Sequence, residues 1–185
     1  MTPLFFFGTL RDRELLEVVL DRAVAPDEMR PARAPDHAGR RLAGQAYPHL
    51  VEEPGAAAEG VVFRASDDEL DRLAWFEEAE YGLAPIRAET ADGPVQAHYF
   101  RATAKLQPGE GLWDIALWHR EERAVAIEAA RELMAHYGHF PVERMDEIWP
   151  GIMTRARMRA RAKAAAPLGA GLRRPHGADD VEALE

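Results

Sequence analysis

The sequence predicts an α+β fold, and three features carry that expectation. An apolar run at residues 3–7 stops at Gly8-Thr9 and passes at once into a charged, helical pattern. The segments "APIRAET" and "PVQAHYFRA" flank the turn "ADGP", as the two strands of a hairpin would. Beyond about residue 104 the mixture of strands and helices gives way to helical periodicity alone. With 185 residues, of which 47% are hydrophobic, the chain is long enough for one sizeable core. The expected organisation is a mixed unit over 1–104, a helical extension packed on it over 105–166, and a disordered tail over 167–185.

Element by element, Phe5, Phe6 and Phe7 read as a buried strand with Gly8 and Thr9 at its carboxyl end, where backbone N–H groups can hold an anion. Asp12 is the N-cap of a helix whose apolar side holds Leu15, Leu16, Val19 and Leu20. Residues 25–57, rich in Pro, Gly, Ala and Arg, read as turns and short strands, "RLAGQAYPHL" among them. "EGVVFRA" is a better strand, in which Gly60 allows a bend or a close approach. Ser66 and Glu69 have the spacing of a capping box, and Asp67 and Asp68 add helix-start charges. The hairpin turns at Asp92-Gly93. "GLWDIALWHREERAVAIEAARELMAHYG" reads mostly as one helix, with Ala126, Ala130, Leu133, Met134 and Tyr137 on one face and Gly138 as its stop. A further helix is expected over about 142–165, broken at Pro150-Gly151.

Several classes of function are disfavoured. A net charge of −9 and a pI of about 5.3 argue against general nucleic-acid binding. The absence of cysteine excludes disulfides, thiolate zinc sites and cysteine nucleophiles. No basic segment leads into an apolar stretch, and no window approaches roughly 18 apolar residues, so a soluble cytoplasmic protein without membrane contact is expected. Glu132, His136 and His139 could begin a metal site, but no third histidine or acidic cluster lies near, and no metal is expected. Arg155, Arg157, Arg159, Arg161 and Lys163 alternate every second residue, which scatters them around a solvated helix.

One residue stands out. At about 100° per residue, Leu70, Leu73 and Ala74 share an arc of a helix, and position 77 falls inside it while 78 and 80 fall outside. Position 77 is Glu77. A carboxylate on an apolar face is costly unless it is paired or has chemical work, and partial desolvation would raise its pKa toward neutrality. Two other readings stand beside catalysis: the helix ends before 77, or Glu77 pairs with a cation such as Arg87.

Taken together, "FFFGTLRDRELLEVVL", "QAYPHL", "AEGVVFRA", "LDRLAWFEEAEY" and "VQAHYF" resemble the gamma-glutamylcyclotransferase-like (AIG2-like) family over about residues 3–102. That family opens with a strand ending in Tyr-Gly-Thr/Ser-Leu and carries a pattern close to Leu-Asp-x-x-x-Glu-Gly-x-x-Tyr. The resemblance implies a small mixed β-barrel with packed helices, here followed by a C-terminal helical extension outside the minimal domain. It implies an enzyme that releases 5-oxoproline and an amine from a γ-glutamyl amine or peptide. The substrate's α-amino group attacks its own γ-carbonyl, so no cofactor is needed, and a glutamate moves the proton. By position that glutamate is Glu77, four residues before Tyr81. Gly8, Thr9 and Leu10 would turn their N–H groups toward the substrate, with Phe7 and Tyr81 completing the pocket; Tyr99 either lines it as well or is a plain core tyrosine. Tyr47 reads as packing, and Trp113 and Trp118 as anchors of the long helix on the barrel, though one of the two could roof the pocket. A homodimer through the extension is admitted rather than required. The chain departs from the pattern at Phe7, where tyrosine is usual, and at Glu78, where glycine is common. These departures leave open a non-catalytic small-ligand or protein-binding module on the same fold, or a structural protein with a relic pocket.

Overall fold

The computed structural model describes residues 1–42, 47–78, 81–102 and 108–166. Among them lie six strands, β1 (Thr2–Phe6), β2 (Arg30–Leu42), β3 (Pro48–Ala65), β4 (Tyr81–Thr90), β5 (Gly93–Ala102) and β6 (Pro108–Leu112). Five α-helices accompany them: α1 (Arg13–Leu20), α2 (Asp67–Phe76), α3 (Ile115–Glu121), α4 (Arg123–Met134) and α5 (Met145–Ala165). The strands follow the order β3-β1-β5-β4-β2, and a further β2–β3 pairing closes them into a five-stranded barrel, with β6 added on β2. The β1–β5 pair is parallel and the others are antiparallel, so the barrel is mixed, as expected.

Side chains alternate across a strand, and here the alternation separates two cores. Phe5, Val62, Ile86 and Tyr99 point into the barrel together with Ala32, Ala34, Ala58, Ala84, Ala88 and Ala97. So many alanines let the strands close into a narrow barrel. Leu4, Phe6, Phe63 and Phe100 point outward into a second core shared with α1–α4. Gly60 sits where these layers touch: a Cβ there would lie 2.4 Å from the Phe5 ring and 2.6 Å from the Phe6 carbonyl oxygen. The expected close approach is real, and only hydrogen fits.

The local signals at the helix starts hold. Asp12 Oδ1 accepts from the Leu15 N–H at 3.0 Å, and the four expected apolar residues of α1 are all buried. The Ser66 hydroxyl accepts from the Glu69 N–H at 3.2 Å while Glu69 accepts from the Ser66 N–H at 2.7 Å. The hairpin runs in register from Tyr81–Ala102 to Thr90–Gly93.

Four expectations need correction. Residues 25–57 do not form short strands. Apart from a 3-10 turn at Pro26–Glu28, they supply β2 and much of β3, a long ribbon paired from Arg30–Val62 to Arg41–Pro48. One irregularity between Pro35 and His37 absorbs the breaker, with Asp36 at φ +56° accepting from the Gly55 N–H. The "RLAGQAYPHL" reading falls partly on 43–46, outside the described residues. The single long helix is instead two, because Glu122 leaves helical dihedrals at φ −120°; Gly111 and Leu112 belong to β6. Trp118 on α3 and Ile127 and Ala130 on α4 thereby reach one core. The helix expected to break at Pro150 runs on through it as α5. One helical hydrogen bond is lost there, but Met145, Ile152 and Ala156 pack on Ala129 and Leu133 of α4 and hold the helix on both sides. Finally, the basic run divides between two sides of the helix, as its alternation predicts, but one side is not simply solvated; Arg157 and Arg161 are exposed on the other. Every fourth residue shares a face, and Arg155 and Arg159 bond Glu132 while Lys163 bonds Glu128. The tail from 167 lies outside the described residues. Among them, no helix is long and apolar enough to cross a membrane.

Candidate functional site

A cavity of about 230 Å³ opens where the outer core meets the helices, bordered by the ends of β1 and α2 and by α3, α4 and α5. Six of the residues expected at a site line it: Phe7, Gly8, Thr9, Leu10, Glu77 and Tyr81.

The first wall follows from how β1 ends. After Phe6 the chain enters a 3-10 turn at Thr9–Arg11. Its first internal bonds are Arg11 N–H to the Gly8 carbonyl at 3.1 Å and Asp12 N–H to the Thr9 carbonyl at 2.9 Å. Within the turn, the N–H groups of Thr9 and Leu10 have no acceptor. Gly8 is required by its surroundings, since a Cβ would lie 2.9 Å from Pro48 Cγ. Pro48 also lines the cavity, so the glycine brings β3 against the turn. Leu10 is buried, with its side chain in the outer core.

Glu77 caps the end of α2. Its N–H still donates to the Leu73 carbonyl at 2.9 Å and its φ is −76°, so the angular relation survives the helix terminus. Leu73 is fully buried and Phe76 packs against the outer core, whereas Ala74 is exposed. The buried arc thus centres on Leu73 and Phe76, to one side of where the pattern placed it, and Glu77 remains on it. Glu77 is half-buried and lines the cavity. Burial, and after it the nearby Glu78 carboxylate, push its pKa from the ordinary 4.5 up to about 7. Among the described residues no hydrogen bond or ion pair engages it; Arg87 lies instead beside Glu89, at 3.4 Å.

Glu78 has φ +68°, in the left-handed region that suits glycine. The chain thus keeps the backbone form of the resembled pattern with a residue that resists it. Phe7 contributes a ring edge packed on Tyr99, with centroids 6.2 Å apart at 73°. Of the two readings of Tyr99, the structure favours the core one: it lies in the barrel interior, packed against Phe7, and is not among the residues lining the cavity. The sequence reading also understated three contributions. Tyr47, read as packing, lines the cavity. Trp118 anchors α3 as expected and lines the cavity as well. Val125, Ala129 and Leu133 of α4, with Trp149 and Met153 of α5, form a wall with no local signature beyond helical apolarity.

Two other features hold no comparable chemistry. A wide groove of about 1170 Å³ is bordered by α1, α2 and α4. Its arginines are engaged: Arg123 with Asp12 and Glu14, Arg131 with Glu14 and Glu128, Arg22 with Glu28 and Glu69. Among the described residues no cluster of three potential ligands could hold a metal ion; Glu132 is occupied by two arginines.

Comparison with known proteins gives consistent results. The sequence profile of the family described as "Gamma-glutamyl cyclotransferase, AIG2-like" matches residues 4–120. "AIG2-like protein D" from Arabidopsis thaliana is 26% identical over 123 residues, 64% of this chain and 79% of that protein. Two Arabidopsis thaliana proteins solved in solution share the fold. One has a TM-score of 0.54 at 22% identity, covering 77% of this chain and 87% of the other. The second has a TM-score of 0.52 at 24% identity, covering 76% and 95%.

Proposed function

The chain belongs to the gamma-glutamyl cyclotransferase, AIG2-like family, and from that premise we propose that it releases 5-oxoproline and a free amine from a γ-glutamyl compound. Glu77 is the general base and then the general acid. In the first step its carboxylate takes a proton from the substrate α-ammonium, and the freed amine attacks the γ-carbonyl carbon. In the second, the bond from that carbon to the leaving nitrogen breaks as Glu77 returns the proton to that nitrogen, and the ring nitrogen sheds its remaining extra proton to water as it becomes the lactam N–H. Thr9 and Leu10 N–H groups hold a polar end of the substrate, and Gly8 and Pro48 fix the turn that presents them. Nucleophile and electrophile lie in one molecule, so the chemistry calls for no cofactor.

The observation that carries this reading is the Glu77 carboxyl, unpaired among the described residues and with a pKa raised to about 7, in a cavity bordered by residues 8–10. A group near half ionisation at neutral pH can both accept and return a proton. Glu77→Gln tests it. The variant should fold and lose 5-oxoproline release by on the order of 100-fold or more; unchanged release refutes the assignment. The same variant has a stability signature. A carboxyl whose pKa is raised on folding stabilises the native state only while protonated, so its cost grows as pH rises from 4.5 through about 7. Glu77→Gln should therefore exceed the parent in stability by about 1–3 kcal/mol above pH 7, a gain that disappears below 4.5.

Glu78 and Phe7 give a second reading its support: a binding module that keeps the cavity without turnover. Binding of γ-glutamyl compounds with no product under any condition would favour it.

A further inference from the structure

We infer that Arg123 is a positioning residue for the turn that holds the substrate, acting through Asp12. This rests on the proposed cyclotransferase reading and adds the residue that aims one of its main-chain donors. The atoms of a peptide unit share a plane, and in the trans form its C=O and N–H point opposite ways. The peptide that carries the Leu10 N–H also carries the Thr9 carbonyl. That carbonyl accepts from the Asp12 N–H at 2.9 Å. Where Asp12 stands therefore sets the direction of the Leu10 N–H, and Thr9 and Leu10 both line the cavity.

Asp12 has more partners than a helix cap needs. One bond, from the Leu15 N–H to Oδ1, caps α1. Yet Asp12 is 6% exposed, and an aspartate is rarely buried so far unless it is paired. Its partners come from the helices after the barrel. Arg123 Nε donates to Oδ2 at 2.7 Å and Nη2 to Oδ1 at 3.3 Å, while His119 Nε2 stands 3.1 Å from Oδ2. Nη2 also donates to Glu14 at 2.9 Å. A planar guanidinium held by two carboxylates fixes orientation as well as distance. Arg123 opens α4, beyond the residues 4–120 that the family profile matches. A segment outside the shared domain thus holds the turn that the domain shares. Arg131, further along α4, offers a comparison: it bonds Glu14 and Glu128 and, among the described residues, makes no bond to Asp12.

The test compares Arg123→Ala with Arg131→Ala in the full-length protein. The probes are γ-glutamyl-ethylamide, γ-glutamyl-benzylamide, γ-glutamyl-alanine and γ-glutamyl-leucine. A misaimed donor weakens the hold on substrate and transition state alike, so Arg123→Ala should raise KM about fivefold or more and leave kcat within about twofold. Arg131→Ala should change neither. Calorimetric Kd values, measured with Glu77→Gln in every protein, should rise by the same factor without chemistry. The amide resonances of Thr9 and Leu10 should shift in Arg123→Ala and stay in place in Arg131→Ala. Should the lone Arg123→Ala strand Asp12 and fail to fold, Asp12→Ser answers the same question. Serine keeps the cap of α1 and is too short to reach Arg123 or His119. It should raise KM as much, and Asp12→Ser with Arg123→Ala should raise it no further. Unchanged KM and Kd, a loss confined to kcat or to stability, an equal effect of Arg131→Ala, or additive effects in the double variant overturns the inference. A parent that binds these compounds without product sinks the catalytic reading alone, and the Kd ratio still decides the inference. A parent that binds none and releases no product sinks both.

Discussion

Glu78 occupies backbone space that glycine enters freely. A side chain in the left-handed region costs about 1 kcal/mol, and this one also sets a negative charge beside Glu77. Both effects disappear in Glu78→Gly. Stability to denaturant should rise by about 1 kcal/mol. The parent kcat/KM should climb with pH as Glu77 ionises and level off above about 7. Removing the neighbouring charge favours the Glu77 carboxylate, so the midpoint of that climb should move to lower pH; a pH–rate profile of both proteins decides. Glu77 itself was legible because a helical angle needs only counting, and the angle tolerated a helix that stops one residue short. Ala74 misled because one exposed alanine is as apolar in a pattern as a buried one. The left-handed turn at Glu78 had no local signal, since glutamate carries no preference for it.

Among the elements, α5 shows which forces hold the extension together. It meets α4 through a dry seam centred on Ile152, which is fully buried, and through a charged row outside it. The partners of Glu132 are roughly half-exposed, so each pair contributes little. Ile152→Ala should cost about 2–4 kcal/mol and Arg159→Ala less than about 1, by urea titration. Length is what made α1, α2 and the β4–β5 hairpin readable: each is short, with its cap or turn within three residues of where it acts. The ribbon of β2 and β3 and the unbroken α5 were hidden because proline outweighs everything in a local reading. Cross-strand pairing on one side and helix packing on the other decide those cases, and neither is local.

At the scale of the molecule, the barrel and the helices share their contacts. Trp75 and Phe76 pack in both helical cores, and Trp75 Nε1 donates to the Phe140 carbonyl at 3.2 Å. All four tryptophans, 75, 113, 118 and 149, sit where helices meet the barrel or each other. Tryptophan fluorescence therefore reports docking while far-ultraviolet dichroism reports helix content. The two should give coincident urea transitions; an early loss of fluorescence with helix retained would show an extension that folds apart from the barrel. The cavity was only half legible for the same reason: its acid and its turn come with local patterns, but its far wall, from Val125 to Met153, lies far along the chain from both. The alanine-filled barrel has a consequence of its own. A tube lined mostly by alanine has few side chains left to shorten, so a change in what such a chain accepts is more easily made on its outside. There, one or two helices can be exchanged like interchangeable jaws against a fixed anvil, and the strands need never learn of the change.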